Sequence, residues 1–139
     1  MSADGFEDMN YTWKYLIGPV SGIEDCNRPA FGAARAKLQK DDDMAIVMTP
    51  FDNPDEEAIA DALRRGKDTV GSEHWRRVMK QMISECLLQA DEVWALPGWK
   101  DSRGATIEAL VAVTIGVPLY ELESGKPIRL VDVAAEWDR

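Results

Sequence analysis

Ser102, Gly104 and Glu108 have the types and spacing that could do chemistry in this chain. Ser102 and Gly104 stand six and four positions before Glu108, at the head of an apolar run of Ala105, Ile107, Ala109, Leu110 and Val111 that reads as a helix. At a helix start, unpaired backbone N–H groups beside a serine hydroxyl form a natural cup for a phosphate. The same serine serves equally well as an ordinary N-cap. Glu108, further along that helix, is a lone carboxylate among apolar neighbours. Held against a pocket floor, it can attack an electron-poor carbon such as C1′ of a ribosyl group, forming a covalent glycosyl intermediate that water or another acceptor resolves. On the opposite side of its helix it is simply solvated. Spacing alone leaves each of these pairs of readings open.

Two further residues are ambiguous on their own. Tyr15 ends a β-prone run, where a buried tyrosine is usually core with its hydroxyl satisfied. Asp91 either closes a helix or opens a strand. His74 is the only histidine, so neither a histidine-ligated metal nor a Ser-His-Asp triad is expected, and no P-loop or GxGxxG pattern is present. No cofactor and no metal are called for.

These residues must be positioned by short apolar strands alternating with helices. Thr12–Val20 holds a strand that stops at Gly18-Pro19, and Asn27 with Pro29 starts a helix whose Phe31, Ala34 and Leu38 share one face. Asp41, Asp42 and Asp43 end that helix as a solvated turn. Ala45–Thr49 is a second strand closed by Pro50, and a helix is expected from Asn53 or Pro54 to Gly66. From about Glu73 to Ala90 the residues Trp75, Val78, Met79, Met82, Ile83, Cys86 and Leu87 recur at helical steps as a core stripe. Glu92–Leu96 is a third strand, Ser102–Ile115 a helix closed by Gly116, and Leu119–Leu122 a fourth strand. PIRLVDV is read as an added edge strand. The expected fold is therefore α/β: a three-layer, flavodoxin-like (Rossmann-type) arrangement around a mainly parallel sheet of four to five strands. Parallel strands end on one rim, which gathers GPVSG, TPFDNP and PGWKDSRG. That makes Gly18, Pro19, Ser21, Gly22, Pro50, Asp52, Gly98 and Trp99 candidate ligand contacts beside Ser102 and Gly104.

At 139 residues the chain suits one domain, read as 12–139 behind an acidic tail at 1–11 that does not resemble a secretory signal. A net charge of −9 and a pI near 4.6 argue against a nucleic-acid polymer or an anionic membrane as partner, yet leave room for a mononucleotide. No apolar run approaches the roughly 20 residues needed to span a bilayer. Cys26 and Cys86 lie far apart and outside CxxC spacing, which fits reduced thiols and a cytoplasmic setting.

Taken together, YLIGPVSGI, VMTPFDNP, LLQADEVWALPGWKDSRGATIEA and IGVPLYEL resemble the nucleoside 2-deoxyribosyltransferase superfamily, over about Tyr15 to Leu122. The nearest branch is one of small, phage- and prophage-borne proteins that read YLAGPMSG early and LPGWxxSxGAxxE later. The resemblance implies cleavage or exchange of an N-glycosidic bond in a (2′-deoxy)nucleoside or its 5′-monophosphate. It makes Glu108 the nucleophile at C1′, places Tyr15 beside it, and has Ser102 and Gly104 bind the 5′-phosphate, as in the 2′-deoxynucleoside 5′-phosphate N-hydrolases. Gly18, Ser21 and Gly22 would add phosphate contacts, and members assemble as homodimers or larger homo-oligomers in which a neighbour closes the site. Trp99 and Trp137 are compatible with such an interface.

One departure stands out. An Asp that engages the base lies, in the hydrolases, eight residues before the position of Asp91; here that position is Ile83. Glu85, Asp91 or a residue of a partner subunit takes over its role, or the protein binds a nucleotide without turning it over. The stretch PGW…RGATIE also compares with the PGGxGTxxE of cytokinin-activating phosphoribohydrolases, with Trp99 after the Pro-Gly pair and a wider glycine spacing.

Overall fold

Alternation along the first strand decides how the two faces of the sheet are used. In the computed structural model, which describes residues 11–20, 23–52 and 73–137, β1 (Thr12–Ile17) buries Lys14, Tyr15, Leu16 and Ile17 in succession. Successive side chains on a strand point to opposite faces, so burial of all four requires cover on both. Tyr15 and Ile17 pack with Val93, Ala95, Ala105 and Ala109 on one face. Leu16 packs with Phe31, Ala34, Leu38 and Leu96 on the other.

Beside β1 lie β2 (Ala45–Met48), β3 (Glu92–Ala95) and β4 (Leu119–Glu121), in the order β2-β1-β3-β4 with every pairing parallel. Tyr15 is level with Met48, and Ile17 with Ala95. This is a three-layer, Rossmann-like α/β fold, with four strands among the described residues. From β1 the chain moves outward to β2 and from β3 outward to β4, so right-handed crossovers put the intervening helices on opposite faces. The helix α1 (Arg28–Asp41) covers the Leu16 face with Phe31, Ala34 and Leu38, as its spacing predicts. The order reverses between β1 and β3, which marks the crevice at their C-terminal ends as the place where such sheets receive ligands.

The helix α2 (Glu73–Gln81) runs on through a π-turn at Met82–Cys86 and a 3₁₀ turn at Leu87–Gln89. The stripe expected here is present in Met79, Met82, Cys86 and Leu87, all buried, while Ile83 is half-buried. The helix α3 (Arg103–Ile115) buries Ala105, Thr106, Glu108, Ala109 and Ala112 and closes at Gly116 in the left-handed conformation. Its buried stripe is mostly alanine, which lets the helix lie close to the sheet.

Two expectations need correction. PIRLVDV adds no edge strand: Pro127 makes a single antiparallel bridge to Tyr120, and α4 (Leu130–Trp137) follows. The Asp132 carboxylate accepts from the Arg129 N–H at 2.9 Å, which satisfies a donor at the head of that helix, and Val133 is fully buried in the cluster that includes α3 residues. The aspartate triplet is not wholly solvated either. Asp42 accepts from the Met44 N–H and, with Glu92, flanks the buried Lys14 at 3.7 and 3.6 Å. The tail at 1–10, the helix expected at 53–66, Ser21, Gly22 and the side chains of Trp75, Val78 and Trp137 lie outside the described residues.

Candidate active site

Three close approaches build the rim. A Cβ on Gly18 would come within 2.9 Å of Leu96 Cβ, so only glycine lets the ends of β1 and β3 meet. Gly98, at φ +85°, faces Pro19, whose Cγ would be 3.3 Å from an added Cβ. The Leu96 N–H donates to the Ile17 carbonyl at 2.8 Å, holding the two strand ends together. Asn27 Nδ2 donates to the Pro19 carbonyl at 2.8 Å, and Asp25, Cys26 and Asn27 are all left-handed, at φ 54°, 54° and 61°. Such backbone is unfavourable for residues with a Cβ, by about 1 kcal/mol or more each.

Over this rim α3 delivers Glu108. Because 108 falls three residues after Ala105 and four before Ala112, it shares their buried stripe, and only 4% of it is exposed. The Tyr15 hydroxyl donates to Glu108 Oε2 at 2.5 Å, with both groups buried. Burial pushes the Glu108 carboxyl up to about 8, while the hydrogen bond from Tyr15 acts in the opposite direction. Burial first, and the neighbouring Glu108 second, hold the Tyr15 hydroxyl well above the ordinary phenol value. Cys86 is close enough to feel the carboxylate: burial, then Glu108, push its thiol up to about 11. Sequence reading took Cys86 for core alone and missed its place beside the carboxylate. Only its position on the α2 stripe, facing the same layer, could have signalled this.

Ser102 is the N-cap of α3, its Oγ accepting from the Ala105 N–H at 3.2 Å. Gly104 is half-buried, and an added Cβ there would meet Met79 Sδ at 3.5 Å, so α2 walls the helix start. Trp99 is 3% exposed and packs in the core with Tyr15 and Ala95, which withdraws it from any intersubunit surface. After β2, Pro50 is buried. The Asp52 carboxylate accepts from the Thr49 N–H at 2.7 Å and the Thr49 hydroxyl at 3.1 Å, and pairs with Arg35. Asp52 lies close enough to the Tyr15 hydroxyl to oppose its ionisation.

Asp91 is not brought to this cluster. It stands before β3, level with Trp13, whose carbonyl accepts from the Asp91 N–H at 2.7 Å and whose N–H donates to the Asp91 carboxylate at 2.9 Å. The strand between carries it about 16 Å from the rim. Asp91 here forms a strand-edge clasp with Trp13. Glu85 is exposed and Ile83 half-buried.

Residues 13–121 match the family described as Domain of unknown function (DUF4406). The chain belongs to that family. The match runs from β1 to the last residue of β4, so the DUF4406 domain takes in the Tyr15–Glu108 pair, the rim loops and the helix-start serine, and stops before α4. No curated protein and no solved structure matches this DUF4406 chain. No helix among the described residues is long and apolar enough to cross a membrane, and no group of three or more metal-ligating side chains occurs among them.

Proposed function

We propose that this protein breaks or exchanges the N-glycosidic bond of a (2′-deoxy)nucleoside 5′-monophosphate, with Glu108 as the nucleophile. The observation that carries this reading is the buried Tyr15–Glu108 pair at the rim where the strand order reverses. Once ionised, a Glu108 oxygen bonds to C1′ as the C1′–N bond breaks. The base leaves with the bonding pair and takes a proton from solvent. Water or a second base then attacks C1′, the Glu108–sugar bond breaks and the carboxylate is restored. Tyr15 positions the carboxylate by its hydrogen bond. The N–H groups at the start of α3, with Ser102 and Gly104, receive the phosphate, and Gly18, Pro19 and Gly98 close the loop beside it. In this reading the protein acts in the cytoplasm as a homodimer or larger homo-oligomer.

The test is mass spectrometry of free bases released from a panel of nucleosides and 5′-monophosphates. Glu108→Gln and Glu108→Ala should abolish release with the fold intact; wild-type rates in either would end the nucleophile assignment. Ribonucleotides outpacing deoxyribonucleotides would point instead to phosphoribohydrolase-like chemistry.

Binding without turnover is the second reading. It is favoured by Ile83 at the hydrolase's acid position, by the removal of Asp91 to the far end of β3, and by a Glu108 carboxyl held mostly neutral at pH 7. It expects a nucleotide to bind with no free base after long incubation.

A further inference from the structure

We propose that the cleft between α1 and the turn after β2 is a separate binding site for an oxyanion carried on a small planar group. The cleft, about 220 Å³, lies on the α1 side of the sheet, across from Glu108, and the two sites share only the Asp52 turn. This inference does not depend on the glycosidic reading.

Its charge is unusual for a chain of net −9. Arg28 and Arg35 line it against one carboxylate, Asp52. The Arg28 guanidinium lies over the Phe51 ring, 5.0 Å from its centroid, and among the described residues it has no acidic partner. Arg35 is held in place by Asp52, which is itself fixed by Thr49. Arg35 Nε is buried without a hydrogen-bond partner among the described residues. Buried donors are almost always paired, and an unpaired one calls for an acceptor. A guanidinium presents its N–H groups in a planar fork that matches carboxylate and phosphate oxygens.

The remaining walls select a planar body. Half-buried Phe51 offers aromatic surface beside the two arginines, and buried Phe31 backs it edge to face at 5.4 Å. Exposed Gly32 leaves the α1 side of the cleft open, since a Cβ there would meet no atom within 4 Å. The arginines take the oxyanion, and Phe51 its ring.

Gly32→Leu tests this directly: it fills the cleft while replacing a helical glycine by a better helix former. Phenyl phosphate, inorganic phosphate and phenol would be titrated by NMR or calorimetry into the full chain and its Gly32→Leu, Arg28→Gln and Ser102→Ala variants. Phenyl phosphate should bind wild type at least about tenfold more tightly than inorganic phosphate or phenol, since neither alone engages both the fork and the rings. Its affinity should fall by about tenfold or more in Gly32→Leu and Arg28→Gln and stay unchanged in Ser102→Ala. The proposal is overturned by wild-type affinity in Gly32→Leu, by equal binding of the three probes, by no binding of phenyl phosphate, or by a loss that follows Ser102→Ala instead. That last result would place the phosphate at the α3 start and support the glycosidic reading alone.

Discussion

At the scale of single residues, Glu108 works against its own ionisation. Its carboxyl is raised from 4.5 to about 8 by burial, so the fold favours the protonated form. The stability this contributes is full below about 4.5 and is lost as pH rises through the window up to about 8, with a slope of at most about 1.4 kcal/mol per pH unit. Urea unfolding across that window should show the decline, and Glu108→Gln, which stays neutral and still accepts from Tyr15, should flatten it. If the enzyme reading holds, kcat/KM should climb with pH toward about 8 as the nucleophile ionises. Tyr15→Phe removes the hydrogen bond that holds the carboxyl down, so the rise should move to higher pH. Burial of Glu108 was half legible in the sequence: Ala105, Ala109 and Ala112 define a stripe that includes position 108, but a carboxylate ordinarily argues for solvent. That Asp91 precedes the third strand was legible, but its pairing with Trp13 was not. Which end of a strand an acid occupies relative to a site depends on strand pairing, and no local pattern encodes that.

At the scale of elements, the two glycines and the serine of the rim carry distinct loads. Gly18→Ala would force a Cβ into Leu96, and the β1–β3 junction should lose about 1–3 kcal/mol, read as a shift in the urea midpoint. Ser102→Ala should cost about 1 kcal/mol through loss of the cap alone. Ser102→Asp separates capping from ligand binding: it restores the cap and the stability, yet its charge should repel a phosphate and raise KM for 5′-monophosphates only. The strands, α1 and α3 were readable because period and punctuation agreed, as with Phe31, Ala34 and Leu38 on one face and Gly116 at an end. The π-turn at Met82–Cys86 was not, since its apolar residues recur at steps that suit an ordinary helix equally well. PIRLVDV failed for a related reason. Its β-branched residues favour a strand, but packing of Val133 in the core and the Asp132 carboxylate at the helix head decide for α4.

At the scale of the whole molecule, parallel pairing could be read from the alternation of strands and helices, whereas the division of faces required the strand order. With a net charge of −9, the chain should pass unretained over heparin at low salt, and retention would contradict the exclusion of polymeric nucleic acid. Both cysteines are free; Cys26 is half-buried and Cys86 buried against the carboxylate. Because thiolate is the reactive form and the Cys86 thiol titrates near 11, only roughly a thousandth of it would be reactive at pH 8 even if exposed. Alkylation of Cys86 therefore becomes a clock for fluctuations of the wall around Glu108, with Cys26 in the same molecule as its fast reference. A nucleotide seated at the rim should slow that clock, so occupancy could be timed without any turnover.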